Sequence, residues 1–451
     1  MKKETCAIDR RKFIGSAALL AAGFVTKESQ AMMPSEQAAW DAYKASPDVK
    51  REGMLDSEPL LHSPAPDSMG IGIAVTGTVL GIAEVADNPE MKNARRYYPE
   101  GMPLPRLDDR VVLIRADGLK SGTKYWYRVG AAGLTHPVGY WTKQTIPEWS
   151  KVYSFTTPGE NAPSHFAVIN DTHVKWEPFK KVTDKLAEIA PQVTIWNGDL
   201  PHSLTDRRED WVKIFYKPGS GEGFASSMPI QVNRGNHDFR GIASGKLGEI
   251  VLERSALERS VRDRELGWNY AYRQGDIAII GLDTAEDKPD AHPANGGFTC
   301  FERYRSAQTK WLADQFKRPE IASAPYIVAF VHIPIYDPDP NANPGTILED
   351  YAMWQKQAAD EWGPILTANG VQLVIAGHRH RFRHDPAGAG RSWEQIVGGG
   401  PILTGSDGKP ERKRFPTVIE GMVVDGRLKV KVHDIVSGSL AGEYSYAPRK
   451  V

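Results

Sequence analysis

Five apolar segments of strand length are each followed at once by polar residues of the kinds that bind metal ions. Continuous apolar runs of this length are typical of strands buried on both faces of a sheet. Helical segments such as 177–190 and 307–318 lie between them, so the sequence predicts an α/β fold. Because strand ends present functional groups in such folds, we expect the polar residues to lie together. The segments 165–170, 193–197, 229–234, 326–331 and 372–377 run into Asp171 and His173, Asp199, Asn236 with His237 and Asp238, His332, and His378 with His380, respectively.

The spacing within these polar segments favours more than one metal ion. In the stretch GHRH at 377–380 two histidines flank a single residue, so in extended or turn geometry they can serve two neighbouring ions rather than chelate one. A glycine precedes Asp199, Asn236 and His378, and we expect it to let the chain turn sharply as it leaves each strand. Mixed nitrogen and oxygen donors without a thiolate suit Mn, Fe, Zn or Co and exclude the all-oxygen geometry of Ca²⁺.

The order of the polar motifs, D-x-H, G-D, G-N-H-D, H and G-H-x-H, resembles that of the calcineurin-like metallophosphoesterase superfamily. The resemblance covers residues 165–385 densely and extends to strands near 417–435. It implies a catalytic domain over 165–447 with the four-layer αββα sandwich of that superfamily, in which two sheets pack face to face between helices. It also implies a two-metal site at the strand ends.

Carried over residue by residue, the resemblance implies two sets of ligands. Metal one would take Asp171, His173, Asp199 and His380. Metal two would take Asp199, Asn236, His332 and His378. Asp199 would bridge the two, since a carboxylate has two oxygens and the ions of two-metal sites lie about 3.5–4 Å apart. Each ion would be a divalent or trivalent transition metal, and the ligand types do not decide which pair is used.

The resemblance implies a phosphohydrolase that acts on a small-molecule phosphate ester. In the mechanism we expect, a water held between the two cations becomes hydroxide near neutral pH and attacks phosphorus in line with the leaving oxygen. His237 would protonate that oxygen, and Asp238 would fix the histidine tautomer. Phosphomonoesters are the favoured substrates. Phosphodiesters and nucleotide pyrophosphates can use the same metal core, and a non-catalytic metal-binding scaffold is the alternative from a different class.

Three residues in or next to the predicted ligand motifs are candidates for substrate contact. Asn236 is one of them, in addition to its role as a ligand. His202, the third residue after Asp199, either contacts substrate phosphate or packs its loop. Arg379 either binds a phosphate oxygen, which arginine can do with two hydrogen bonds, or is a solvent-exposed turn residue.

Residues 59–158 have a different sequence pattern from the catalytic domain, with short β-like runs separated by turn residues. The pattern predicts a small all-β sandwich before the catalytic domain, and the stretch LKSGTKYWYRVG at 119–130 resembles the fibronectin-III-like domain of purple acid phosphatases. The catalytic motifs depart from that family, because the first motif is D-x-H rather than D-x-G and His202 takes the place of a tyrosine ligand. We therefore expect no visible charge-transfer band even with bound ferric iron.

The first 31 residues resemble a twin-arginine signal peptide, with Arg10 and Arg11 before a short apolar run. We expect export by the twin-arginine machinery to the periplasm or another extracytoplasmic space, followed by a helical or linker segment at 32–58. Cleavage would remove Cys6 and leave Cys300 alone, so no internal disulfide is expected.

Charge and hydropathy argue against nucleic acid as the main partner and against a membrane-spanning helix. Lysine plus arginine and aspartate plus glutamate both number 56, and this balance argues against nucleic acid as the main partner. No segment approaches the roughly 20 apolar residues that span a bilayer, so no membrane-spanning helix is expected.

Overall fold

A computed structural model of the protein describes residues 34–101, 103–202, 204–218, 223–252, 266–338, 351–388, 390–401 and 414–450. The predicted signal peptide lies outside the described residues. Within them, no helix combines the length and the apolar character needed to cross a membrane. The helices are α1 Pro34–Ala45, α2 Trp176–Ile189, α3 Arg208–Tyr216, α4 Phe301–Gln315, α5 Pro319–Ala322, α6 Tyr351–Glu361 and α7 Gly363–Ala368. The strands are β1 Leu60–Ala65, β2 Ser68–Ala74, β3 Leu80–Ala86, β4 Arg95–Tyr97, β5 Val111–Ala116, β6 Lys124–Ala132, β7 Leu134–Val138, β8 Trp141–Gln144, β9 Glu148–Trp149, β10 Tyr153–Thr156, β11 His165–Ile169, β12 Val193–Asn197, β13 Ile230–Asn233, β14 Tyr270–Gln274, β15 Ile277–Leu282, β16 Tyr326–Val331, β17 Leu373–Ala376, β18 Arg383–Asp385, β19 Glu394–Val397, β20 Thr417–Val424, β21 Arg427–Asp434 and β22 Leu440–Tyr446.

Two large sheets form the centre of the molecule. One has nine strands in the order β22-β21-β20-β11-β12-β13-β1-β2-β5, and the other has six in the order β14-β15-β16-β17-β19-β18. Strands β11, β12 and β13 run parallel in the first sheet, as β15, β16, β17 and β19 do in the second. The strands that precede the five polar motifs belong to these two parallel groups, so their carboxyl ends meet at one edge.

Alternation of side chains along each strand explains why the layers stack. In β11, Phe166 and Val168 are buried between the two sheets, whereas Ala167 and Ile169 are buried against α2 and α3. Phe166 meets Phe330 of the other sheet edge to face, with ring centroids 5.3 Å apart. Truncating such a buried phenylalanine to alanine costs about 3–5 kcal/mol.

Helices cover the outer face of both sheets, and their sequences explain how. Helix α2 buries Phe179, Val182 and Leu186, which share one face at helical spacing. On the other side, Leu312 of α4 and Leu366 of α7 pack on the six-stranded sheet. The expected four-layer αββα sandwich is confirmed.

The all-β segment before the catalytic motifs shares a sheet with them. Strands β3, β4, β6, β9 and β10 form a sheet of their own, which packs across a common core on β1, β2 and β5. Those three strands extend the nine-stranded sheet, because β1 pairs in parallel with β13 at His62 and Ile230. The strands predicted from the sequence are present, but one face of the sandwich is continuous with the catalytic sheet rather than separate from it. The fibronectin-III-like resemblance stays a prediction.

Candidate metal centre

The predicted metal ligands lie together at the carboxyl ends of five strands. One atom from each of Asp171, His173, Asp199 and His380 falls within 4.8 Å of the others, and the same holds for the set Asp199, His332 and His378. Asp171, Asp199 and His332 are almost completely buried, whereas His378 and His380 lie partly open to solvent. The site is therefore closed to solvent around Asp171, Asp199 and His332 and accessible to solvent around His378 and His380.

Asp199 is shared between the two groups through different oxygen atoms. Its Oδ2 lies 3.5 Å from His173 Nε2, and its Oδ1 lies 3.2 Å from His332 Nε2. Burial opposes ionisation of this carboxyl, but His332, His237 and His173 together hold the pKa of Asp199 well below its usual value. A charged carboxylate with one oxygen facing each group is what a bridge between two cations requires.

The donors of the second group face one another in a way that suits a cation. Asn236 Oδ1 lies 3.2 Å from His332 Nε2 and 3.0 Å from His378 Nδ1. In the first group, His173 Nε2 lies 2.8 Å from His380 Nε2. Lone pairs turned towards each other need a proton or a metal ion between them, so these residues fit a pair of transition metal ions.

The histidine pKa values show where protons compete with metal. Burial favours neutral His332, but the carboxylates of Asp199 and Asp171 overcome it and raise the pKa of His332 to about 10. Burial, aided by the charge of His332, lowers the pKa of His378 to about 3. Burial also lowers the pKa of His173 to about 4. A cation at the second group therefore has to displace the proton of His332.

The backbone at the site adopts conformations that non-glycine residues rarely take. Five ligands have a positive φ: Asp171 (47°), His173 (47°), Asp199 (53°), His378 (67°) and His380 (49°). Each left-handed residue of this kind costs on the order of 1–3 kcal/mol, and such strain concentrates at functional sites.

The expectation that the three glycines act by turning the chain is correct only for Gly198, which has φ 84°. Gly235 and Gly377 have ordinary φ angles and are needed for close packing instead. A Cβ atom at Gly235 would lie 2.4 Å from Asp199 Oδ1, and one at Gly377 would lie 2.7 Å from Asp171 Oδ2. A side chain at either position would displace a ligand.

The predicted partnership between His237 and Asp238 is wrong. The Asp238 carboxylate is buried and accepts hydrogen bonds from the backbone N–H groups of Gly235, Asp199 and Leu200. It therefore fixes the loop that carries Asp199, and burial raises the pKa of Asp238 to about 7. The side chain that follows a histidine in a tight 3₁₀ turn points away from the imidazole, so adjacency in sequence did not bring contact.

A backbone carbonyl orients His237 instead. His237 Nδ1 lies 3.0 Å from the carbonyl oxygen of His202, and Arg240 Nη1 lies 3.1 Å from Nε2. Because the arginine donates, Nε2 accepts and the proton of the neutral ring is on Nδ1. His237 Nε2 is also 3.9 Å from Asp199 Oδ2, which places this nitrogen beside the metal centre.

The structure places the two other candidate substrate contacts at the rim of the site. The exposed His202 ring stacks on His237 at 6.3 Å between centroids and lies 5.4 Å from that of His173. Arg379 is half-buried, and its Nε lies 3.3 Å from Asp337 Oδ2. It is not simply an exposed turn residue, and contact of either side chain with phosphate stays a prediction.

An ion network next to His237 was missed in the sequence. Arg240 binds both oxygens of Glu286, at 3.0 and 2.9 Å, and lies 3.2 Å from Asp287 Oδ1. Lys288 Nζ lies 2.7 Å from the same Asp287 oxygen. The signal was present, because the apolar strand IAIIGL runs into DTAED at 283–287 just as the other strands run into their ligands.

Comparison with known proteins supports this site. Residues 164–382 match the sequence model of the calcineurin-like phosphoesterases. The match is to just under half of the chain. The matched segment contains every predicted ligand, and the strands near 417–435 pair into the same sheet as its strand β11, as expected.

Individual curated proteins are similar to this chain over about 60% of its length, at low sequence identity. Purple acid phosphatase 23 from Arabidopsis thaliana is 24% identical over 311 residues, which is 64% of this chain and 60% of the relative. The chain spans between 50% and 60% of the length of three such curated relatives. Two solved structures share the fold: purple acid phosphatase PPD1 from yellow lupin (Lupinus luteus), with 12% identity, TM-score 0.61 and coverage of 86% of this chain and 74% of that one, and PhoD, with 13% identity, TM-score 0.56 and coverage of 90% and 94%.

Proposed function

We propose that the protein is a metal-dependent phosphoester hydrolase that uses two transition metal ions to cleave phosphomonoesters. The observation that carries this proposal is the Asp199 carboxylate, which turns one oxygen to each of two ligand groups. The match to the calcineurin-like phosphoesterase model and the similarity of the chain to purple acid phosphatase 23 support the reaction class and favour monoesters.

Each of the two ligand groups would hold one metal ion. Asp171, His173 and His380 would hold one cation with Asp199, and Asn236, His332 and His378 would hold the other, also with Asp199. Two bound cations supply Lewis-acid activation of a phosphoryl group and of water near neutral pH.

His237 has the role of proton donor to the leaving oxygen. The carbonyl of His202 fixes its ring and keeps a proton on Nδ1. Nε2 is therefore the nitrogen that gives a proton to the leaving oxygen, and for this Arg240 has to release it and Nε2 has to take up a proton from solvent first. Arg240 can bind a phosphate oxygen when it does so, since guanidinium groups match that geometry.

The test is a substrate panel run on protein whose metals have been quantified. We expect two metal ions per chain and the fastest turnover on phosphomonoesters, with slower turnover on diesters and pyrophosphates. Faster cleavage of diesters would reassign the substrate class while keeping the metal chemistry. A protein with two metals that is inert towards all three probes would be a scaffold and would contradict the proposal.

The choice of metal gives a second test that does not depend on substrate. The predicted ligand sets contain no tyrosine, because in the sequence His202 stands where the purple acid phosphatase pattern has its tyrosine ligand. Protein loaded with ferric iron should therefore lack an intense visible band. A purple protein would show that a tyrosine binds the metal.

Export is part of the proposal and depends on residues 1–31. Replacing Arg10 and Arg11 together by lysine should leave the protein in the cytoplasm, because the twin-arginine machinery reads that pair. Cell fractionation with an activity assay measures the distribution. Unchanged export of the double variant would reject this route.

A further inference from the structure

We infer that Asp287 is a positioning residue for the second cation, because its carboxylate orients Asn236 and His378 with their ligand atoms towards the metal. The inference rests on the proposed function, since it needs the two-cation centre. It assigns a role to a residue in the segment after β15, which supplies none of the metal ligands.

The Asp287 carboxylate hydrogen-bonds to the far atom of Asn236 and lies near the far nitrogen of His378, beyond hydrogen-bond distance. Its Oδ2 accepts from Asn236 Nδ2 at 3.4 Å and lies 4.0 Å from His378 Nε2. The near atoms, Asn236 Oδ1 and His378 Nδ1, face each other at 3.0 Å. A carboxylate that takes the N–H of an amide leaves the amide oxygen for the cation. The negative charge near His378 Nε2 likewise favours a proton on that nitrogen, which leaves Nδ1 free to bind metal.

Asn236 has a competing orientation that Asp287 disfavours. With its amide oxygen and nitrogen exchanged, Asn236 would accept from Arg240 Nη2 at 2.8 Å and donate to the nitrogens of His332 and His378. That orientation gives Asn236 hydrogen bonds that do not require a metal, but it turns an N–H, which cannot bind a cation, towards the metal position. It would also turn the amide oxygen towards Asp287 Oδ2, where two acceptors repel each other. Asp287 therefore selects the orientation that can hold metal.

The carboxylate of Asp287 is itself held in place. It is buried, and its Oδ1 accepts from Lys288 Nζ at 2.7 Å and from Arg240 Nη2 at 3.2 Å. The ammonium group of Lys288 and the guanidinium group of Arg240 thus bind Oδ1, and Oδ2 is left to face the metal ligands. Glu286, the preceding residue, binds the same two positively charged side chains.

Glu286 is a matched control within this network. In the hydrogen bonds of the described residues it contacts Arg240, Lys288 and the backbone of Asp287, but neither Asn236 nor His378. Removing its carboxylate disturbs the same ion network without removing the acceptor behind the metal ligands. A general effect of disrupting the network would appear in both variants.

The experiment is a Co²⁺ titration of the metal-stripped full-length protein, followed by visible absorption and calorimetry. His332→Ala identifies the binding phase of the second site and His173→Ala that of the first. We expect Asp287→Ala to weaken the second phase by 10- to 100-fold, the range for loss of a residue that orients metal ligands. The first phase should stay within about twofold. Glu286→Ala should leave both phases unchanged, and Asp287→Asn, which keeps an acceptor oxygen, should weaken the second phase less than Asp287→Ala does.

Several results would overturn the inference. They are an unchanged second phase in Asp287→Ala, equal weakening of both phases, equal weakening in Glu286→Ala, or an Asp287→Asn protein no better than Asp287→Ala. Failure of the proposed function looks different. In that case the wild-type protein itself would bind a single Co²⁺, whereas failure of this inference alone leaves two ions in the wild type and in Asp287→Ala.

Discussion

Strand β11 has histidine and carboxylate clusters at both ends, but in the described residues only one of the two brings its donor atoms close enough together to hold a metal ion. At its start, the Glu420 carboxylate lies between His165 and His433, with one oxygen 3.2 Å from the first ring and the other 3.0 Å from the second. Beyond its end, Asp171 joins His173, Asp199 and His380, whose ligand atoms all lie within 4.8 Å of one another. Similar residue types produce a linear bridge in one place and a cage in the other.

Backbone geometry accounts for the difference. His165, Glu420 and His433 sit within regular paired strands, where side chains can only stand side by side. At the other end the chain leaves the sheet, and ligands such as Asp171 and Asp199 adopt positive φ angles that turn their side chains towards a common point. In this protein the regular strands place the donors in rows, whereas five of the predicted metal ligands lie in strained turns beyond the strand ends.

The comparison is tested most strongly by removing the shared carboxylate. Asp199→Asn should bind metal poorly at both groups and lose on the order of 10³-fold in turnover, because a main source of transition-state charge stabilisation is lost. Metal analysis and a chromogenic phosphate ester assay measure both effects. Glu420→Gln is the matched control and should retain full turnover. A loss of turnover in Glu420→Gln as large as in Asp199→Asn would show that the two ends are not functionally distinct.

Changing His237 separates metal binding from proton transfer at the metal end. His237→Ala should keep two metals and lose roughly 10²-fold in turnover on substrates with poor leaving groups, the size expected for loss of a general acid. Substrates with good leaving groups need no proton and should lose much less. Steady-state kinetics on a leaving-group series measures the slope. Equal losses across the series would remove His237 from the acid role.

Protons should compete with metal at the second group. Because the pKa of His332 is raised to about 10 in the metal-free protein, the second cation displaces one proton at pH 6–8. Its affinity should therefore rise about tenfold for each pH unit over that range. Calorimetry in buffers of different ionisation enthalpy measures both the affinity and the released proton. An affinity independent of pH would mean that His332 is already neutral.

The smallest effect is expected at the start of β11. Hydrogen bonds from His165 and His433 hold the pKa of Glu420 well below its usual value of 4.5. A depressed folded-state pKa stabilises the protein above pH 4.5, and this stabilisation is lost as pH falls towards the folded-state value. Glu420→Gln should cost about 1–2 kcal/mol at pH 7 and show a weaker loss of stability between pH 5 and 3 than the wild type. Urea unfolding at several pH values checks this, and parallel pH profiles would contradict it.

Much of the fold and of the ligand set follows from the sequence, because strand-length apolar runs and the residues after them are local signals. The strand ahead of Asp171, the face of α2 that carries Phe179, and the ligand spacing of His378 and His380 are all of this kind. The αββα arrangement is predicted from a different signal, the resemblance of the motif order to that of the calcineurin-like metallophosphoesterase superfamily.

The features that sequence reasoning missed depend on contacts between distant segments. Asp238 binds the backbone at Asp199 and Leu200, so its neighbour His237 relies on the carbonyl of His202 instead. The cluster around Glu420 depends on strand register, which brings His165 beside a strand more than 250 positions later. Pairing between β1 and β13 likewise joins segments that no local pattern connects.

The most direct test of the account is anomalous scattering from crystals grown with an excess of Mn²⁺ or Zn²⁺. We predict two peaks about 3.5–4 Å apart, with Asp199 Oδ1 bound to one ion and Oδ2 to the other. No ion is expected between His165 and His433. A single peak, or an Asp199 side chain turned away from both ligand groups, would contradict the two-metal assignment.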